Sequence, residues 1–62
     1  LIEHDVTVGN NCHLSTGSII NGNCIVGDNS FIGSGSIIVN DQKIPPHSFI
    51  KAGTRFYKKN YD

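Results

Sequence analysis

One histidine in this sequence stands where it could take a proton at neutral pH, and a second follows it closely in the chain. His4 is followed directly by Asp5, and His13 lies nine residues further on. Neutral imidazole is the side chain best matched to accept a proton near pH 7. A neighbouring carboxylate can orient the ring and raise its basicity. His4 with Asp5 is therefore a candidate pair for deprotonating a hydroxyl or an amine, each a poor nucleophile until its proton leaves. An exposed surface histidine is the competing reading of the same residues. His47 follows Pro45-Pro46 and reads as structural or merely exposed. Cys12 and Cys24 lack the spacing of a metal site and read as free thiols rather than a redox or catalytic pair.

The elements that must position these groups follow from a repeat. Every sixth residue from Ile2 is apolar: Ile2, Val8, Leu14, Ile20, Val26, Ile32, Ile38, Ile44, Ile50 and Phe56. Four places further into each repeat stand Val6, Cys12, Ser18, Cys24, Ser30, Ser36, Gln42, Ser48 and Thr54, all small or medium except Gln42. Between them lie turn formers, in Asn10-Asn11, Gly22-Asn23, Asp28-Asn29, Ser34-Gly35, Asn40-Asp41 and Ala52-Gly53. Gly and Asn tolerate the positive φ of a sharp corner, so these pairs join short straight runs. A period of six fits neither a 3.6-residue helix nor the alternation of a hairpin sheet.

Three such repeats close one triangular coil of eighteen residues, which stacks residue i on i+18 at about the 4.8 Å spacing of paired strands. The inward columns then read Ile2–Ile20–Ile38–Phe56, Val8–Val26–Ile44 and Leu14–Ile32–Ile50. The fold class is thus all-β, a single-stranded parallel β-helix of about three coils over residues 1–55, with 56–62 as an exit tail. Gln42, Lys43 and Pro45-Pro46 break the corner pattern, so the third coil is expected to be irregular. Cys12 and Cys24 fall in the small inward class on different faces, as core fillers.

The chain has 62 residues, 37 % of them apolar, and no formal net charge. So small a core is marginal alone, which points to a fragment of a larger chain or to a partner covering its open coil ends. Neutrality gives no case for nucleic acid or for a membrane surface. Four of the five basic residues, Lys51, Arg55, Lys58 and Lys59, crowd the C-terminal end and read as a solvated tail. No stretch is long and apolar enough for a signal peptide or a membrane span. With two unpaired cysteines, this favours a cytoplasmic location.

The repeats resemble those of the left-handed β-helix acyltransferases. Their motif is an aliphatic residue, then Gly, Ala, Glu or Asp, then two free places and a small residue. Within that superfamily the chain is similar to the sugar O- and N-acetyltransferases of the sialic-acid and bacillosamine type. The residues that carry the similarity are Ile2-Glu3-His4-Asp5, Gly9-Asn10-Asn11-Cys12-His13-Leu14-Ser15, Gly22-Asn23 and Phe31-Ile32-Gly33-Ser34. The resemblance implies left-handed winding, a homotrimer, and transfer of acetyl from acetyl-CoA to a sugar or nucleotide sugar in clefts between subunits, without a metal. It makes His4 the general base and Asp5 its assistant, and it puts His13 at the acetyl-CoA thioester. The backbone of Ser34 and Ala52 would hold the pantetheine arm. Where the family often has Gly-Asn-Pro-Ala, this chain has Ala52-Gly53-Thr54-Arg55.

Three consequences follow from the coil. Gly22 stacks eighteen residues above His4, where a bare backbone N–H could stabilise an oxyanion, although a corner favours Gly in any case. His13 precedes an inward Leu14 and so faces out of a flat side, in a column with Phe31 and Phe49; an aromatic packing patch is the alternative to a ligand contact. His4 and His13 lie on opposite parts of the triangle, well over ~10 Å apart at ~3.3 Å per residue. One site using both must draw on two subunits. A zinc hydratase on the same scaffold would need three converging histidines, which His4, His13 and His47 do not supply. The remaining alternatives are a non-catalytic trimeric scaffold and an acetyltransferase with another acceptor, such as serine or a lipid precursor.

Overall fold

A computed structural model describes residues 1–57. It contains nine two-residue strands: β1 (Thr7–Val8), β2 (His13–Leu14), β3 (Ile19–Ile20), β4 (Ile25–Val26), β5 (Phe31–Ile32), β6 (Ile37–Ile38), β7 (Lys43–Ile44), β8 (Phe49–Ile50) and β9 (Arg55–Phe56). They form three parallel sheets, ordered β1-β4-β7, β2-β5-β8 and β3-β6-β9. Each pairing runs in the i to i+18 register, as in Val8↔Val26↔Ile44 and Leu14↔Ile32↔Ile50. An isolated bridge between Ile2 and Ile20 extends the third sheet into the first coil. The chain is a parallel β-helix of hexapeptide repeats, three coils high.

The second residue of each strand points inward. Ile20, Val26, Ile32 and Ile38 are fully buried, and Ile44 and Ile50 nearly so. Burial of an aliphatic side chain of this size is worth about 1.5–3 kcal/mol. Beside these columns, Ser30 Oγ donates to Pro45 O at 3.1 Å and Ser36 Oγ to Lys51 O at 2.9 Å. The hydroxyls thereby satisfy themselves inside a narrow core. No helix of the described residues is long and apolar enough to cross a membrane.

The corners show why this composition folds this way. Each has two residues, and the second is left-handed at all nine: Asp5, Asn11, Gly17, Asn23, Asn29, Gly35, Asp41, His47 and Gly53. At successive coils the N–H of this second residue donates to the C=O of the first corner residue one coil below, as in Asn23 N to His4 O at 3.2 Å and Gly53 N to Ser34 O at 2.9 Å.

The third coil departs from expectation by being regular. Pro46 takes the first place of its corner, where no backbone-to-backbone N–H bond is made at any other described corner, so its missing donor costs nothing. His47 supplies the left-handed residue at φ 61° and donates its N–H to Asp28 O at 2.8 Å. Gln42 folds inward above Cys24, where its Nε2 donates to Asn40 O at 3.3 Å. Pairing continues through Phe56, one residue past the expected boundary at 55; the rest of the expected exit tail, from 58 onward, lies outside the described residues.

Cys24 is fully buried, with Sγ 3.0 Å from Val39 O, whereas Cys12 is half-buried at the edge of the core. A thiol reagent is therefore expected to label Cys12 in the native protein and Cys24 only after unfolding. Equal labelling rates would contradict this packing.

Candidate functional site

His4 and Asp5 form the corner between the Ile2 bridge and β1. The left-handed backbone of Asp5, at φ 59°, brings its short side chain back beside the preceding residue. His4 Nδ1 lies 3.0 Å from Asp5 Oδ2. A carboxylate can only accept, so the neutral ring carries its proton on Nδ1 and presents the Nε2 lone pair outward. Both side chains stand in solvent, 83 % and 78 % exposed. Along the same vertex Asn23 Nδ2 donates to Asp41 Oδ1 at 2.8 Å, which ties the second coil to the third.

The imidazole leans over the coil above and covers Gly22. A Cβ built on Gly22 would sit 3.3 Å from His4 Cε1 and 3.5 Å from Nε2. The stacking read from the eighteen-residue period is thus a direct contact between these two residues.

His13 faces outward on the β2-β5-β8 sheet. Its ring stacks on Phe31 with centroids 5.0 Å apart and planes within 3°, and Phe31 stacks on Phe49 at 5.1 Å. That sheet ends at the vertex of Thr16-Gly17, Ser34-Gly35 and Ala52-Gly53. Ser34 and Ala52 are both exposed there, one above the other. All three left-handed residues of this vertex are glycine, and a Cβ on Gly35 or Gly53 would meet nothing within 4 Å. The other two vertices manage the same conformation with Asp, Asn and His. This bare ridge was missed in the sequence, although the recurrence of Gly at 17, 35 and 53 carried the signal.

The structure thus groups His4, Asp5 and Gly22 at one vertex, and His13, Ser34 and Ala52 on another sheet and its far vertex. Within one chain these are separate surfaces. His47 falls on the third vertex, apart from both. Among the described residues no group of three or more His, Cys, Asp or Glu side chains is placed to hold a metal ion.

Residues 5–40, over half of the chain, match the family model for the bacterial transferase hexapeptide, with six repeats. The chain belongs to the bacterial transferase hexapeptide family. No curated protein and no solved structure gave a significant match. This hexapeptide family includes many acyltransferases, which sets the coarse class of the chain as a transferase-type β-helix. The matched span takes in Asp5, His13, Gly22 and Ser34; His4 stands one residue before it and Ala52 beyond it.

Proposed function

We propose that the chain is part of an acetyltransferase that moves acetyl from acetyl-CoA to a hydroxyl or amino group of a sugar or nucleotide sugar. The observation that carries this reading is the His4-Asp5 pair, an exposed imidazole with Nδ1 held by a carboxylate and Nε2 free. Nε2 takes the proton of the acceptor as its oxygen or nitrogen attacks the thioester carbonyl. Asp5 stabilises the imidazolium that results, and the proton passes to the thiolate that leaves when the C–S bond breaks. In this reading the Gly22 N–H, at the same vertex, stabilises the charge that builds on the carbonyl oxygen.

The vertex of Ser34 and Ala52 suits an extended pantetheine arm. At Gly35 and Gly53 an added Cβ would meet nothing within 4 Å, and the small side chains of Ser34 and Ala52 beside them leave room for a thin chain. His13, on the sheet that leads to this vertex, is assigned to the thioester end. Because His4 lies elsewhere on the same chain, the working site takes His4 from one subunit and His13 from its neighbour, in a homotrimer.

Thiol release from acetyl-CoA, measured against amino sugars, neutral sugars and their nucleotide-linked forms, tests the reaction. Mixed assembly tests the architecture. His4→Ala and His13→Ala chains, each inactive alone, are expected to regain activity when co-assembled, with about a quarter of the interfaces carrying both intact histidines at equal mixing. Absence of any regain would sink the two-subunit site. Full activity in the His4→Ala chain alone would remove His4 from the chemistry, and a wild-type chain that releases no thiol with any acceptor would favour a scaffold instead.

A further inference from the structure

Gly22 is an anomaly among the corners. Its partner Asn23 is the left-handed residue there, at φ 60°, and Gly22 is not among the positive-φ glycines. The first corner place is otherwise occupied by His4, Asn10, Thr16, Asp28, Ser34, Asn40, Pro46 and Ala52. Side chains from Ala and Ser up to Asn and His are accommodated at that place, so the turn does not call for glycine at 22. What stands over Gly22 is the His4 ring. An added Cβ would lie 3.3 Å from Cε1, inside ordinary van der Waals contact, and 3.4 Å from His4 O.

We infer that Gly22 is a positioning residue whose missing side chain forms the seat of the His4 imidazole. The ring is otherwise an exposed side chain with one hydrogen bond, to Asp5. One bond leaves it free to swing about that contact. The flat Cα surface of Gly22 supplies the second point of support, so Asp5 at Nδ1 and the coil above together fix the direction of the Nε2 lone pair. A residue in the second coil thereby sets the aim of a base in the first, and this aim exists only when the coils are stacked.

The catalytic part of this inference rests on the proposed function; the seat itself does not. In the folded wild-type chain a nuclear Overhauser contact is expected between the His4 ring proton on Cε1 and the Gly22 α-proton that stands where Cβ would be. Gly22→Ala keeps the backbone N–H, and hence any oxyanion donor, but displaces the ring. That contact should be lost, and kcat should fall on the order of tenfold with KM for acetyl-CoA unchanged, since small misplacement of a reacting group is costly. In a His4→Ala background Gly22→Ala should cause no further loss. Absence of the wild-type contact overturns the seat, as does a Gly22→Ala chain with unchanged kcat or with additive loss in the double variant. A wild-type chain that shows the contact but releases no thiol would uphold the seat and sink the proposed reaction.

Discussion

His4→Ala is expected to lower kcat by a factor on the order of 10²–10⁴, the usual contribution of a positioned general base, and to leave the melting temperature unchanged. The two halves of that expectation have different physical sources. The rate falls because no second imidazole stands at this vertex to replace it; its neighbours there are Asp5, Asn23 and Asp41. The fold persists because the imidazole is 83 % exposed and its partner 78 % exposed. A solvated pair of this kind adds little to stability. What the corner needs from His4 is its carbonyl, which accepts from Asn23 N, and alanine keeps it.

Asp5→Asn is the sharper companion, because asparagine holds the left-handed conformation of Asp5 as it does at 11, 23 and 29. The corner stays, but the carboxylate that stabilises the imidazolium goes. A smaller loss in kcat than for His4→Ala is expected, with KM for acetyl-CoA preserved. Equal rates in wild type, His4→Ala and Asp5→Asn, measured as thiol release, would remove the pair from the chemistry altogether.

Much of this geometry is legible in the sequence because a β-helix is nearly one-dimensional. The period gives the inward columns, and addition of eighteen gives each stacked neighbour, from Val8 beneath Val26 to His13 beneath Phe31. The adjacency of His4 and Asp5 survives folding because the corner turns their side chains together. Two misreadings have one cause. Composition does not say which of two corner residues is left-handed. The alternative to an oxyanion role for Gly22, that a corner favours glycine in any case, therefore falls away, since Asn23 carries the turn. Pro46 passed as a breaker, while His47 does the work that the corner requires. The arrangement of His4 relative to a neighbour's His13 lies beyond a single chain, since the separation of their surfaces is all that one coil can show.

Gly33→Ala is expected to destabilise the chain strongly, as is Gly27→Ala, whose added Cβ would likewise meet backbone of the third coil. Gly33 is buried in the second coil, and the third coil passes directly over it. A Cβ there would lie 2.7 Å from Ala52 Cα and 2.8 Å from Ile50 O. Both are backbone atoms, fixed by the bonds of Gly33 N to Ile50 O at 2.8 Å and Gly53 N to Ser34 O at 2.9 Å. Neither can yield without opening the ladder. Overpacking of this kind costs about 3 kcal/mol or more, a large share of what a 62-residue chain can hold. The place in the repeat does not itself forbid side chains, since Glu3, Ser15, Asn21 and Val39 occupy it elsewhere. The demand comes from the close approach, and Gly35→Asn isolates it. Gly35 is left-handed at φ 71° with open space around its Cβ position, so asparagine should be nearly neutral there. Thermal or urea unfolding of the two variants decides between the causes. If Gly35→Asn proved the more damaging, backbone conformation and not coil contact would govern this vertex. If close approach governs, Gly33→Ala also forces Ala52 away from Ser34, disturbing the bare ridge on which the proposed acetyl-CoA contact depends.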